Sequence, residues 1–159
     1  MANLTGFPQL FDGDTTIIDS TAKYPLGMRA LDAAGNEYIY LAGVASTVQY
    51  SPVVYDEAFA TVLADSQGTA PANAGPIAVA QAAIVANKYG WYMVRGKTYM
   101  VSGDVADNGQ IYLTTTAGTV DDADVAKALI IGAWARGDDA SGITLVQINY
   151  PMVHDAAID

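Results

Sequence analysis

The sequence predicts an all-β protein, an antiparallel barrel or sandwich of about seven or eight short strands. Runs of β-branched and aromatic residues recur roughly every 8–12 residues, and turn-forming residues separate them. Only short segments, at 56–64, 77–87 and 121–127, have patterns that would also suit a helix. We therefore expect one β-rich domain over residues 31–159, at most one or two short helices, and an N-terminal arm over residues 1–30.

The arm is predicted from closely spaced turn formers. Gly6, Pro8, the run 12–14, Pro25 and Gly27 interrupt short apolar bursts, so we expect an extended segment with one short strand at 15–19. The Asp-Gly-Asp run at 12–14 also resembles a piece of a calcium loop. Acids one residue apart are ordinary turn chemistry, and we favour the turn.

The regular region begins after a turn at 34–36. Residues 37–41 predict a strand, and the β-favouring residues of 44–50 predict its continuation beyond a bend at Gly43. Pro52 restricts residues 53–55 to a strand start or an edge, because proline donates no hydrogen bond to a neighbouring strand.

Two segments can be interpreted in two ways. Residues 56–64 have an acidic start and helix-compatible spacing, but would also place Phe59, Thr61 and Leu63 on one side of a strand. Residues 77–87 are alanine-rich, which favours a helix. Their apolar residues alternate with period two, and we favour a strand.

Residues 89–101 are the stretch around which the fold is expected to form. Aromatic and β-branched residues flank Arg95 and Gly96, which predict the turn of a tight hairpin. Both flanks are apolar on both faces, so this hairpin is expected at the centre with groups packed on each side.

The C-terminal third predicts three more strands. An Asn108-Gly109 turn opens a strand over 111–116, and the acidic segment 121–127 would suit one helical turn. Residues 129–135 and 143–150 predict two long strands joined by a turn at 136–142, with Pro151 ending the second.

Charge limits the expected partners. Seventeen acidic and seven basic residues give a formal net charge of -10 and a pI near 4.1. Such a field repels nucleic acid and anionic lipid, and the scattered cations disfavour a local basic patch. The sequence contains neither a run of about 20 apolar residues nor a basic-then-apolar start, so we expect no membrane span and no secretory signal.

The composition also indicates how much of the surface other protein subunits cover. Charged residues make up 15% of the chain and hydrophobic ones 52%, whereas about 25% charged is usual. Either the domain is unusually well buried or other protein subunits cover part of its surface, and we favour the second. The ten tyrosines and two tryptophans would then fill the core and interfaces, or line a sugar-binding face.

Metal-binding patterns are weak. Residues 104–115 place Gly109 at the sixth position of a calcium loop, but Ala106 and Thr115 stand at its third and twelfth positions. A hairpin turn is favoured there. The remaining cation candidates are carboxylates that we expect to be solvated loop residues: Asp121, Asp122, Asp124, Asp138 and Asp139.

Catalytic patterns are equally weak. The chain has no cysteine and a single histidine, His154, next to Asp155 near the C-terminus. Glu37 and Glu57 show no spacing of an acid–base pair, and the tripeptide Arg136-Gly137-Asp138 suits a hairpin tip. We assign no catalytic, cofactor-binding or metal-binding residue and expect no enzyme and no cofactor.

Three segments together resemble the small β-rich head proteins of tailed bacteriophages, including capsid decoration (cementing) proteins. The first is residues 31–43, in which an aromatic strand lies between two glycines. The second is Gly75–Ala80 together with residues 89–96, and the third is the closing strand 143–151. The resemblance covers about residues 25–151 and rests on glycines and aromatics.

This resemblance implies a non-enzymatic structural protein on the outer surface of a virion, made in the host cytoplasm. It implies a homo-oligomer, often a trimer, that contacts the major capsid protein, with the arm as a docking segment. A receptor- or carbohydrate-binding module of a phage tail or fibre is the alternative, and a hydrolase is the least favoured class.

Overall fold

The computed structural model describes residues 13–67, 74–125 and 128–153, and these residues form ten antiparallel strands and no helix. The all-β prediction is therefore confirmed, with more strands than expected. No helix long and apolar enough to span a membrane occurs in the described part of the chain. The strands are β1 Arg29–Leu31, β2 Glu37–Ala42, β3 Pro52–Tyr55, β4 Thr61–Leu63, β5 Gly75–Ala80, β6 Tyr89–Val101, β7 Gln110–Leu113, β8 Val120–Asp121, β9 Leu129–Ala135 and β10 Ile143–Val153.

The strands pair in the order β1-β2-β6-β5-β10-β9-β7-β8, while β3 joins β5 and β4 pairs with β3 alone. Hydrogen bonds also connect distant parts of this sheet. The Ala42 amide at the end of β2 donates to the Phe59 carbonyl just before β4, at 3.3 Å. The Gly103 amide after β6 donates to the Val120 carbonyl of β8, at 2.8 Å. The sheet therefore curls back on itself at both ends.

The predicted hairpin at Arg95 and Gly96 is wrong, because β6 continues through both residues. Its first half pairs with β2 up to Arg95, and its second half pairs with β10 from Arg95 to Val101. A tight type I′ turn needs positive φ at both central residues. Here only Gly96 has one, at 127°, and the strand bends without reversing.

The expectation that residues 89–101 lie centrally with groups packed on both faces is confirmed for the first half of β6. Successive side chains of β2 and β6 alternate between two buried clusters on opposite faces of the sheet. One face carries Tyr38, Tyr40, Trp91 and Met93, and the other carries Ile39, Leu41, Tyr92 and Val94.

A register shift changes which side of β6 is exposed. Tyr38 pairs with Met93 but Glu37 pairs with Arg95, which leaves Val94 as an extra residue in β6. After this bulge Met100 packs in the same cluster as Met93, although it stands an odd number of positions away. The second half of β6 consequently turns Arg95, Lys97 and Tyr99 toward solvent.

Residues predicted as strands in the first half of the chain are partly turns. Residues 44–50 form two turns, since the positive φ values of Ser46 (65°) and Tyr50 (72°) break an extended strand. The strand expected at 15–19 is a turn at 15–16 followed by a single bridge between Asp19 and Tyr89. Two strands were missed, namely β1, which pairs with β2, and β8, which pairs with β7.

Both ambiguous segments are strand over about a third of their length and contain no helix. In 56–64 only β4 is extended, because the Asp56 carboxylate accepts hydrogen bonds from the Ala58 and Ala60 amides and closes a turn. In 77–87 the strand β5 ends at Ala80, and residues 81–88 form the connection to β6.

The C-terminal predictions are mostly confirmed. The 129–135 strand and the 143–150 strand pair as β9 and β10, and the Asn108 turn (φ 61°) precedes β7, which is shorter than expected. Pro151 does not end β10. The pairing with β9 shifts between Ile148 and Met152, and this bulge accommodates a residue without an amide hydrogen. The described residues of 121–127 are not helical.

Candidate functional site

The acidic candidates serve as turn anchors. The Asp122 carboxylate accepts a hydrogen bond from the Ala106 amide (3.0 Å), and the Asp138 carboxylate accepts one from the Asp107 amide (2.8 Å). Asp139 accepts hydrogen bonds from the Ser102 hydroxyl and the Gly142 amide. Across residues 13–67, 74–125 and 128–153, no three potential ligands are grouped for a metal ion.

The other candidate residues are also separate from one another. Glu37 binds Arg29 and Tyr150, whereas Glu57 is exposed in the β3–β4 turn. Asp14 accepts hydrogen bonds from the Thr16 amide and hydroxyl, as a turn residue does. Arg136 donates to the Asn108 side chain at 3.2 Å. His154 and Asp12 lie outside the described residues.

One buried carboxylate joins the N-terminal segment to the sheet. Asp19 is only 5% exposed and accepts hydrogen bonds from Tyr40 and from Lys23, each at 2.7 Å. Burial raises the pKa of Asp19, but the hydrogen bonds from Lys23 and Tyr40 and the Lys23 charge outweigh it and hold the pKa below its usual value. Asp19 already has two partners, so its role is structural.

The outer face of β6 and β9 gathers basic residues. Arg95 and Lys97 extend from β6, and Arg136 follows Trp134 on the same side at the end of β9. Arg29 reaches this region over the Tyr150 ring, at 5.8 Å from its centroid. Of the seven cations in the chain, Arg95 and Lys97 line one groove, whereas Arg29 pairs with Glu37 and Arg136 with Asn108.

A groove of about 450 Å³ lies at this face, between residues 34–36, residues 95–97 and Gln147. We call it the basic groove. Within the described part of the chain, neither Arg95 nor Lys97 forms an ion pair. Among the described residues, both cations thus lack a carboxylate partner, although the net charge of the chain is -10.

The β1–β2 turn holds Asn36 at the groove. The Asp32 carboxylate accepts hydrogen bonds from the Asn36 amide (2.9 Å), the Asn36 side chain (2.8 Å) and the Tyr38 hydroxyl (3.0 Å). Burial raises the pKa of Asp32, but the hydrogen bonds from Asn36 and Tyr38 outweigh it and leave the pKa below its usual value. Asn36 is therefore held in place by an ionised carboxylate at neutral pH.

An exposed tryptophan lies beside the groove, one strand beyond Gln147. Gln147 stands opposite Lys97 on one side and Trp134 on the other, and Trp134 in turn stands opposite Gln110. Trp134 is 46% exposed. An exposed indole between two amide side chains is a surface that can stack on a ring and hydrogen-bond its substituents.

A second surface is purely apolar. Met152 of β10 stands opposite Ile131 of β9 and opposite Pro76 of β5. Ile131 is 53% and Met152 is 42% exposed, and Pro76 is exposed as well. We call this three-strand surface the apolar row.

Sequence reasoning missed both surfaces. Residues 95, 97 and 99 alternate as exposed positions, but the expected hairpin placed them at a turn where cations are ordinary.

No protein-family model matches the sequence, and no curated protein matches it significantly.

Proposed function

We propose that this chain is a non-enzymatic structural protein of a virus particle, which decorates and stabilises a tailed-bacteriophage capsid. It assembles as a homo-oligomer, with a trimer as the expected form, and contacts the major capsid protein at the capsid surface. The resemblance of residues 25–151 to phage head proteins suggests this role. The observation that carries it is the apolar row.

The apolar row favours a protein contact for an energetic reason. Ile131 and Met152 are adjacent and about half exposed. Full burial of an exposed side chain of this size contributes about 1.5–3 kcal/mol, so covering the exposed half of each contributes about 1 kcal/mol. Side chains that pair across strands form a continuous surface, which distinguishes them from single exposed apolar residues. The low share of charged residues, 15%, supports the same conclusion.

The test of assembly is a pair of matched variants. We expect the double variant Ile131→Lys, Met152→Lys to be a single subunit by sedimentation and to lose binding to capsid particles. Val48→Lys is the control, since Val48 is 52% exposed in a turn outside the row, and it should keep the native mass. A native chain that stays monomeric and ignores capsids would contradict the proposal.

A separate deletion tests the N-terminal arm as the docking segment. Removal of residues 2–12 leaves Asp19 and its hydrogen bond to Tyr40 in place, and we expect it to weaken capsid binding with little change in thermal stability. Removal of residues 2–20 would also take away Asp19, so loss of binding there would not separate docking from folding. Undiminished capsid binding after the shorter deletion would refute a docking role.

A second candidate function is a carbohydrate-binding module of a phage tail or fibre. It is favoured by Trp134, which lies exposed between Gln110 and Gln147. Glycan-array binding that disappears in Trp134→Ala but persists in Val48→Lys would support this function. Loss of binding in neither variant would reject it.

A further inference from the structure

We propose that the basic groove and Trp134 together form a binding site for a saccharide that carries a carboxylate. This inference rests on the second candidate function and names its ligand class. The sugar ring stacks on the Trp134 indole, and the carboxylate lies between Arg95 and Lys97. Asn36 and Gln147 hydrogen-bond the hydroxyl groups.

The cations supply the first argument. Arg95 and Lys97 are exposed on one side of β6, two residues apart, and within the described residues neither forms an ion pair. Glu37 stands opposite Arg95 in β2, but its two carboxylate oxygens accept hydrogen bonds from Arg29 and Tyr150. An arginine beside a lysine without a carboxylate partner is suited to bind an anionic group from outside.

The amides supply the second argument. Asn36 is fixed by two hydrogen bonds to the Asp32 carboxylate, one from its backbone amide and one from its side chain. Asp32 is held in turn by the Tyr38 hydroxyl. Its side-chain oxygen lies against Gly96, where a Cβ atom would come within 2.1 Å of it. The groove therefore presents a positioned amide next to the cations, and amide groups both donate to and accept from sugar hydroxyls.

The spacing supplies the third argument. Lys97, Gln147 and Trp134 stand side by side on three neighbouring strands. Adjacent strands lie about 4.8 Å apart, so Lys97 and Trp134 are separated by about 10 Å along this row. A disaccharide with a carboxylate on one ring spans that distance. The groove volume of about 450 Å³ falls in the range of small-molecule sites, roughly 300–1,000 Å³.

The negative charge of the rest of the molecule makes the site selective for its ligand. A net charge of -10 repels anions in general, so an anionic ligand needs contacts beyond charge. The indole and the amides provide these for a sugar and offer little to a bare phosphate. An acidic saccharide therefore fits this surface better than an inorganic anion does.

The experiment uses calorimetric titration of the full chain with two acidic probes and their neutral counterparts. The probes are trigalacturonate with its methyl ester, and sialyllactose with lactose. We expect at least one acid to bind and its neutral counterpart to bind about tenfold more weakly. Arg95→Gln and Lys97→Gln should each weaken that acid about tenfold, Trp134→Ala should abolish binding, and Lys88→Gln, at the β5–β6 connection, should change nothing.

The other outcomes overturn the inference in distinguishable ways. Equal binding of the acid and its neutral counterpart, lost in Trp134→Ala, would reject the charge requirement and keep the carbohydrate-binding function. Binding that is unaffected by Arg95→Gln and Lys97→Gln would place the site elsewhere. Displacement by inorganic phosphate at equal concentration would indicate a general anion site. No binding of either acid would reject the inference, and no glycan binding on an array would reject the function beneath it.

Discussion

Two fully buried tyrosines show how differently the same residue type contributes to this fold. Tyr40 donates a hydrogen bond to Asp19 at 2.7 Å, and burial together with that contact raises the pKa of Tyr40 to about 12. The Tyr92 hydroxyl has no hydrogen-bond partner among the described residues. Thr61 lies next to it, but the Thr61 hydroxyl donates to the Ala42 carbonyl at 2.7 Å.

We predict opposite effects of removing these two hydroxyls. Tyr92→Phe should leave the free energy of unfolding unchanged or raise it by up to about 1 kcal/mol, because an unpaired buried hydroxyl is destabilising. Tyr40→Phe should lower it by about 1–2 kcal/mol, since Asp19 loses a donor. Urea denaturation measures both values. A Tyr92→Phe variant as damaged as Tyr40→Phe would show that the Tyr92 hydroxyl is hydrogen-bonded.

We also predict acid sensitivity from Asp19. Its pKa is lowered in the folded protein, so the ionised form stabilises the fold above the unfolded pKa of about 4. This contribution is lost as the pH falls through the lower, folded pKa. Asp19→Asn should lower the free energy of unfolding by about 1–2 kcal/mol at pH 7. It should also flatten the pH dependence of stability below about pH 4.

Thermal denaturation between pH 7 and pH 2.5 measures that dependence. Lys23→Gln is the matched control, because it removes the exposed partner of the pair and leaves the Tyr40 hydrogen bond. It should have a smaller effect at pH 7. An unchanged acid slope in Asp19→Asn would show that other carboxylates control acid unfolding.

At the scale of elements, the residue types predicted the strands that are rich in β-branched and aromatic residues. They did not predict the features that depend on backbone geometry and strand pairing. The strands β2, β6, β9 and β10 follow from their β-branched and aromatic content. The continuation of β6 through Arg95 and Gly96 does not follow from it, because these two residues have the composition of a turn. Only the pairing with β10 shows that the strand continues there.

Gly96 permits that continuation, and two glycine variants separate its two roles. Gly96 has φ 127°, and an added Cβ would lie 2.1 Å from the Asn36 side-chain oxygen. Gly35 has φ 82° and open space around an added Cβ. We predict that Gly35→Ala lowers the free energy of unfolding by about 1 kcal/mol, because only the left-handed backbone conformation disfavours alanine there.

Gly96→Ala should lower the free energy of unfolding by about 2–4 kcal/mol, because steric overlap adds to backbone strain. It should also displace Asn36, which would shift the Asn36 side-chain amide signals in an NMR spectrum. Urea denaturation of both variants gives the comparison. Equal costs for the two variants would show that the contact with Asn36 is relieved without strain.

At the scale of the whole molecule, the candidate surfaces arise from pairings between distant positions. The basic groove joins residues 34–36, 95–97 and Gln147, and the apolar row joins Pro76, Ile131 and Met152. The register of β10 sets both, including its shift between Ile148 and Met152. Composition predicted that some surface would be apolar and aromatic. It could not locate that surface, because bulges at Val94 and near Pro151 change which side chains face outward.

The last prediction follows from the contrast between these surfaces. Subunits that each carry a net charge of -10 repel one another, while the apolar row attracts through burial. Raising NaCl from 50 mM to 500 mM shortens the screening length from about 14 Å to about 4 Å. We therefore predict that self-association tightens several-fold with salt, whereas binding of an acidic saccharide at Arg95 and Lys97 weakens. Sedimentation and calorimetric titration over the same salt series measure the two trends. Self-association that weakens with salt would place charged groups, and not the apolar row, at the subunit interface.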